Sequence, residues 1–214
     1  MNISKSKWGL VLSGGAAWGL ANGGVIEVLE KNDLKPDVIA GSSMGAIVGA
    51  LYACGYGSRE LKQLCKELKL INIARFSRHT FTRGLHEGFL QQNLAQFLEP
   101  LIGGKRIKDC DIPFVCIAGR IKQPIKWHRI INRGFTAHAL TCVEEYVFPA
   151  DTTLLDAVMA TSAIPVLFSP VKIGDDEFVD LCNFGAIPSR TLRSMHNPDI
   201  VIGTDTSPRH KYVR

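Results

Sequence analysis

Residues 37–52 have the sequence DVIAGSSMGAIVGALY. The first four are predicted to form a short buried strand, and the residues from Met44 onward favour a helix. Between them lies GSSMG, the G-x-S-x-G pattern of a nucleophile elbow. Gly41 and Gly45 permit the tight turn, since a Cβ at either position would collide with the adjacent strand or helix. The Ser43 hydroxyl is therefore expected at the edge of the sheet, facing the positive end of a helix.

A similar strand and helix precede this elbow. Residues 8–12, WGLVL, form a continuous apolar run, as in a strand that is buried on both faces. Ser13-Gly14-Gly15 ends the run, and a helix is predicted from about Trp18 to Lys31. Alternating strands and helices predict a parallel sheet with right-handed crossovers, and hence an α/β fold.

The remaining elements follow from shorter patterns. Helices are predicted at Ser58 to Leu70, Gly88 to Leu101 and Asp151 to Thr161, and strands at Pro113 to Ile117, Lys126 to Asn132, Phe178 to Val179 and Ile200 to Ile202. Residues 71–88 are predicted to be irregular and the tail 207–214 to be frayed. No long linker or repeat divides the sequence, so we expect residues 1–214 to form a single domain.

The composition is that of an ordinary globular domain. Of the 214 residues, 46% are hydrophobic and 21% are charged, which suffices for a buried core. The polar start of the chain is unlike a signal peptide, and the apolar runs are too short to span a membrane. The six cysteines show neither a C-x-x-C pair nor zinc-ligand spacing, which favours free thiols in a reducing compartment and no metal.

The charge balance leaves two interpretations open. A net charge of +5 is consistent with simple solubility or with attraction to an anionic lipid surface. Basic residues are scattered without a recognised nucleic-acid-binding module, so no nucleic-acid partner is expected. We expect a cytoplasmic protein; peripheral contact with a membrane and the oligomeric state stay open.

The glycine-rich segment SGGAAWG at residues 13–19 is a candidate oxyanion hole. It follows a strand and opens a helix, so its consecutive N–H groups are accessible to a negative oxygen. A nucleotide-binding loop or a plain turn is the alternative. A dinucleotide fingerprint is broken by Ala16, and the Gly-Lys-Ser/Thr of a P-loop is absent. The elbow one strand-helix unit downstream favours the oxyanion interpretation.

Two types of residue are candidates for the base that activates Ser43. His196 and His210 would fit the Ser–Asp–His order of an α/β-hydrolase, but in that fold the elbow comes after several strands. Asp180 ends the predicted strand at 177–180 and is the better candidate, since a strand-end carboxylate can approach Ser43 across the sheet edge. Exclusion of water brings a carboxylate closer in proton affinity to a serine hydroxyl. Alternatively, Asp180 only caps a turn.

Three segments together resemble the patatin-like phospholipase family. They are LSGGAAWGL at 12–20, GSSMGAIVGALYA at 41–53, and a third block made of ATSAIP at 160–165, FSP at 168–170 and FVD at 178–180. Their order and spacing agree with the family. The resemblance covers about residues 8–56 and 150–207, and the middle of the chain matches only loosely.

The resemblance implies a three-layer α/β/α sandwich with a mostly parallel central sheet. It also implies a Ser-Asp dyad that hydrolyses acyl esters of lipids without a cofactor. Ser43 would be the nucleophile and Asp180 the base. Gly14, Gly15 and Ala16 would supply the N–H groups of the oxyanion hole.

The sequence departs from the family pattern at three positions. The family usually has glycine at Ala16, arginine at Trp18 and glycine at Leu181. Ala16 can replace glycine if its φ is negative. A shift of the Asp180 carboxylate caused by Leu181 would slow the reaction.

Two alternatives to the hydrolase therefore stay open. One is a catalytically weakened lipid-binding relative, and the other is a transacylase or thioesterase on the same scaffold. Trp18, Phe81 and the segment 85–98 are expected either to shape an acyl channel or to belong to the core.

Overall fold

A computed structural model describes residues 6–74, 89–123, 142–165, 168–181 and 187–206. The strands are β1 (Trp8–Leu12), β2 (Val38–Gly41), β3 (Phe114–Ile121), β4 (Val143–Val147), β5 (Val171–Ile173), β6 (Asp176–Val179) and β7 (Ile200–Gly203). The α-helices are α1 (Asn22–Lys31), α2 (Met44–Ala53), α3 (Ser58–Ala74), α4 (Phe89–Ile102), α5 (Leu154–Thr161) and α6 (Ser189–His196). Short 3-10 helices occupy Ala16–Ala21 and Ile107–Asp109.

The strands form one sheet in the order β5-β6-β3-β2-β1-β7, with β4 also paired to β3. Strands β7, β1, β2 and β3 are parallel, whereas β4, β5 and β6 join by antiparallel pairing. The predicted α/β fold with its central parallel strands is confirmed. The antiparallel strands β4 and β5 were not predicted, because they are short and only partly buried.

Both faces of the central strands are covered by helices. Alternate residues of β1 and β2, among them Leu10 and Ile39, pack against the side that carries α2 and α5. Val11 and Val38 point to the opposite side, where Leu192 of α6 covers them. These strands therefore have no polar face, as is typical of a parallel sheet buried on both sides. Full burial of one Leu or Ile side chain stabilises the fold by about 1.5–3 kcal/mol.

Helix α2 is the centre of the larger core. All ten of its residues are buried. This helix contacts strands of the sheet and also the helices α1, α3 and α5. Such a helix has no solvent-facing stripe, which explains why its sequence is apolar all round.

Several predicted boundaries are wrong or fall elsewhere. The helix predicted from Trp18 begins instead as a 3-10 helix at Ala16–Ala21 and becomes α-helical only at Asn22. Helix α5 begins at Leu154 because Thr153 is its N-cap, with its hydroxyl accepting a hydrogen bond from the Asp156 N–H. Helix α3 continues to Ala74, past its predicted end. The predicted strand 126–132 and the tail 207–214 lie outside the described residues.

Among the helices that the structure describes, none combines the length and apolar character needed to cross a lipid bilayer.

Candidate active site

The carboxyl ends of three parallel strands meet at one edge of the sheet. Leu12 at the end of β1 pairs with Gly41 at the end of β2, and Val11 pairs with Gly203 at the end of β7. The segments that follow, residues 13–16, 42–43 and 204–206, therefore lie side by side. This edge is where an open α/β sheet usually binds its ligand.

The elbow between β2 and α2 holds Ser43 in an unusual backbone conformation. Its φ is 53° and its ψ is −133°, values that a residue with a Cβ rarely adopts and that cost about 1–3 kcal/mol. A Cβ on Gly45 would lie 2.2 Å from the Leu12 carbonyl oxygen, and one on Gly41 would lie 2.7 Å from Ala46 Cα. Both glycines are therefore required where strand and helix meet.

Thr161, at the end of α5, supports this conformation. Its hydroxyl accepts a hydrogen bond of 2.9 Å from the Ser43 N–H and donates one of 2.5 Å to the Ile117 carbonyl of β3. Thr161 is completely buried. One hydroxyl thus links the elbow to the sheet. No sequence pattern indicated this role, although Thr161 lies in a segment that resembles the family pattern.

Ser43 and Asp180 are in direct contact. The Ser43 hydroxyl donates a hydrogen bond of 2.5 Å to Asp180 Oδ2. Ser43 is 2% exposed and Asp180 is fully buried, so the pair is shielded from water. Asp180 directly follows β6, and its N–H donates to the Ala163 carbonyl at 2.9 Å. Its carboxylate therefore does more than cap a turn.

Leu181 has a defined place beside this contact. Its side chain is buried, and its Cδ2 would lie 3.0 Å from a Cβ on Gly119 of β3. The missing side chain of Gly119 therefore provides room for Leu181. The Asp180 carboxylate remains at hydrogen-bond distance from Ser43 despite the larger neighbour.

The glycine-rich loop lies against the elbow. A Cβ on Gly14 would be 2.8 Å from Ser43 Cβ and 3.5 Å from Ser43 Oγ. In the part of the chain that the structure describes, the N–H groups of Gly14 and Gly15 donate to no acceptor. Ala16 has a φ of 47°, so the condition under which alanine replaces glycine without strain, a negative φ, is not met. Its conformation is one that glycine adopts without strain.

Of the other sequence candidates, His196 and Trp18 are among the described residues. His196 ends α6 at the opposite edge of the sheet, where its carbonyl accepts a hydrogen bond from Lys7 Nζ. Burial and the Lys7 charge lower the pKa of His196. Trp18 is 67% exposed and so does not belong to the core. Phe81, His210 and the first residues of the segment 85–98 lie outside the described residues.

A reactive cysteine and a metal site were also considered for this edge of the sheet. Burial raises the pKa of the Cys116 thiol, which keeps it protonated. Within the described ranges, no three His, Cys, Asp or Glu side chains are grouped so that they could hold a metal ion.

A separate cavity of about 420 Å³ lies far from Ser43. Tyr52 and Tyr56, near the end of α2, line it together with Glu30 and Asp111. Ser43 precedes the same helix, whose ten residues span about 15 Å. This cavity therefore does not belong to the site at the elbow.

Comparison with known proteins gives one family. The model of the family described as patatin-like phospholipase matches residues 10–180. The chain is 42% identical to triacylglycerol lipase 3 of Saccharomyces cerevisiae over 73 residues, which are 34% of this chain and 11% of that protein. It is 32% identical to a lysophospholipase of Aspergillus fumigatus over 103 residues, 42% of this chain and 7% of that protein. The matched part is thus a small share of these longer relatives.

Among solved structures, VipD from Legionella pneumophila resembles the chain with a TM-score of 0.48 and 15% sequence identity. The alignment covers 83% of this chain and 46% of VipD.

Proposed function

The chain belongs to the patatin-like phospholipase family, and from this premise we propose that it is a serine acyl hydrolase of lipid esters. The reaction would be of the phospholipase A, lysophospholipase or carboxylesterase type. The observation that carries the proposal is the buried hydrogen bond of 2.5 Å from Ser43 Oγ to Asp180 Oδ2. The names triacylglycerol lipase and lysophospholipase among the relatives favour a lipid ester as substrate.

In the first half of the proposed reaction, Ser43 Oγ attacks the ester carbonyl carbon while its proton passes to Asp180. The carbonyl oxygen becomes negatively charged and accepts hydrogen bonds from the N–H groups of the glycine loop. Such a donor contributes about 3 kcal/mol to stabilisation of the transition state. The tetrahedral intermediate then breaks its bond to the alcohol, which leaves with the proton from Asp180. An acyl-serine remains.

In the second half, Asp180 takes a proton from a water molecule, whose oxygen attacks the acyl-serine. The same N–H groups stabilise the second negative oxygen. Release of Ser43 Oγ, which regains its proton from Asp180, frees the fatty acid. A hydrogen bond already in place between Ser43 and Asp180 lowers the cost of orienting these groups for each step. No metal or cofactor takes part in this scheme.

The alternative of a catalytically weakened, lipid-binding relative receives less support. This alternative rests on Trp18 and Leu181, which stand where the family usually has arginine and glycine. Leu181 fits beside Gly119 and leaves the Asp180 carboxylate in contact with Ser43. Trp18 points into solvent; it lacks the positive charge of the arginine that the family usually has there, but it does not part Ser43 from Asp180. Neither feature separates the two groups that the reaction requires.

A fluorophosphonate probe together with a chromogenic short-chain ester tests the proposal. We expect the wild type to be labelled and to hydrolyse the ester. Ser43→Ala should lose both properties, and Asp180→Asn should lose turnover. Ser42→Ala removes the adjacent serine hydroxyl and is the matched control, which should still be labelled. Circular dichroism of every variant verifies that the chain is folded.

The outcomes separate the candidate functions. Equal labelling of wild type and Ser43→Ala would refute the nucleophile assignment. Binding of lipid vesicles without any turnover would favour the weakened relative. Product analysis with an added alcohol, and assays on an acyl thioester, would detect a transacylase or a thioesterase instead.

A further inference from the structure

Two threonines after β7 hold the glycine-rich loop. Thr206 donates a hydrogen bond of 2.5 Å from its hydroxyl to the Gly14 carbonyl, and its N–H donates to Ser13 Oγ at 2.9 Å. Thr204 Oγ1 accepts from the Ser13 N–H at 3.2 Å and donates to Asn22 Oδ1 at 2.7 Å. Neither threonine lies within residues 10–180, which the family model matches.

The fit between Thr206 and the loop is close. Gly15 has a φ of 144°, and a Cβ at this position would lie 2.7 Å from Thr206 Oγ1 and 2.9 Å from the Thr206 carbonyl oxygen. The main chain of the loop therefore packs directly on Thr206. Because the Gly15 main chain packs so closely on Thr206, the peptide between Gly14 and Gly15 can adopt only a narrow range of orientations.

The direction of that peptide has a consequence for the site. In a trans peptide, the carbonyl of one residue and the N–H of the next point in opposite directions. Thr206 follows β7, and β1 lies between β7 and β2 in the sheet. Because the Gly14 carbonyl is held on the β7 side, the Gly15 N–H points towards the β2 side. Ser43 follows β2, and Gly14 is already in contact with it.

We propose that Thr206 is a positioning residue: its hydroxyl orients the Gly14–Gly15 peptide so that the Gly15 N–H faces the oxygen that becomes negatively charged when Ser43 attacks. This inference rests on the proposed hydrolase function and adds a residue to it. The contacts of Thr206 that the structure describes are with Ser13, Gly14 and Gly15, so its proposed effect on the reaction passes through the loop.

Thr206→Val tests the inference, because it keeps the shape of the side chain and removes its hydroxyl. We expect kcat for the chromogenic ester to fall about 10- to 100-fold with little change in KM, since the N–H group acts mainly in the transition state. Thr206→Ser keeps the hydroxyl and should stay within about threefold of the wild type. Thr191→Val is the matched control, since it removes a threonine hydroxyl that donates its hydrogen bond to Glu145 and not to the loop. It should leave kcat unchanged.

A pair of inhibitors distinguishes orientation of the loop from general damage. A trifluoromethyl ketone forms a negatively charged tetrahedral adduct with a serine. The corresponding secondary alcohol, in which the ketone is reduced, binds without forming an adduct or a charge. Thr206→Val should weaken binding of the ketone about 10-fold or more and leave binding of the alcohol unchanged. If Thr206→Val does not fold, the same comparison is made on Thr206→Ala.

The results separate this inference from the function on which it rests. Wild-type turnover that depends on Ser43, with Thr206→Val within twofold of the wild type in kcat, would refute the role of Thr206 and leave the hydrolase proposal intact. A rise in KM alone, or equal weakening of both inhibitors, would also refute it. Turnover absent from the wild type, or retained in Ser43→Ala, would overturn the hydrolase proposal and this inference together.

Discussion

Replacement of Thr161 by valine should reveal how much the support of the elbow contributes to stability. The Thr161 hydroxyl joins the Ser43 N–H to the Ile117 carbonyl, and Ser43 and Thr161 are both buried. Valine has nearly the same shape but cannot accept or donate a hydrogen bond. The change therefore isolates the hydroxyl from the packing of the side chain.

The expected magnitude follows from the groups that lose their partner. A buried N–H without an acceptor costs about 1–3 kcal/mol, and the hydrogen bond to the carbonyl contributes a further ~1 kcal/mol. The extra methyl of valine offsets part of this loss. We therefore expect a decrease in the free energy of unfolding of about 3 kcal/mol. For a chain of this size, this corresponds to a decrease in Tm of about 6–12 °C.

Urea and thermal unfolding, followed by circular dichroism, measure this decrease. Thr161→Ser is the matched control, because it keeps the hydroxyl and loses only a buried methyl group, at about 1 kcal/mol. The activity of Thr161→Val should also fall, since the strained backbone of Ser43 loses a contact that holds it. Equal stability of the valine and serine variants would refute the assignment of Thr161 as the support of the elbow.

Two further predictions concern other parts of the chain. Gly14→Ala should reduce kcat/KM at least about a hundredfold, because its Cβ would lie 2.8 Å from that of the elbow serine. Its control Gly24→Ala, whose Cβ meets nothing within 4 Å, should keep activity and stabilise the fold by about 0.5–1 kcal/mol in thermal unfolding; full activity of the Gly14 variant would contradict the geometry. Iodoacetamide near neutral pH should alkylate Cys54 before Cys65, because a hydrogen bond from Cys110 lowers the pKa of Cys54 whereas burial raises that of Cys65. The preference should shrink as the pH rises and both thiols ionise, and peptide mass spectrometry that found Cys65 modified first would contradict it.

The elements with strong local signals were predictable from the sequence. The apolar run of β1 and the all-apolar helix α2 have patterns that few other structures tolerate. Helix α6 was missed, although its eight residues have buried Leu192 on one side and charged residues on the other. Its sequence SRTLRSMH contains too few apolar residues for a clear period, so only its packing on the sheet identifies it.

The residues of the candidate site also divide into those that were predictable from the sequence and those that were not. Ser43 was predictable from a motif, because a turn that needs glycines on both sides of a serine has a local sequence pattern. Asp180 was predictable from its position at the end of a strand and from the resemblance to the family. Thr161, Thr204 and Thr206 have no such pattern, since threonine side chains form hydrogen bonds with the backbone in many different structural contexts.

The sequence by itself determined the α/β alternation, the elbow and the glycine loop, because each depends on neighbouring residues and on which φ, ψ values their side chains allow. Only the tertiary structure decided that a carboxylate 137 positions away accepts a hydrogen bond from Ser43. It also decided that the loop is held by the threonines that follow β7. The physical reason is that the register of the sheet brings the ends of β1, β2 and β7 together, and register depends on contacts between residues far apart in the chain.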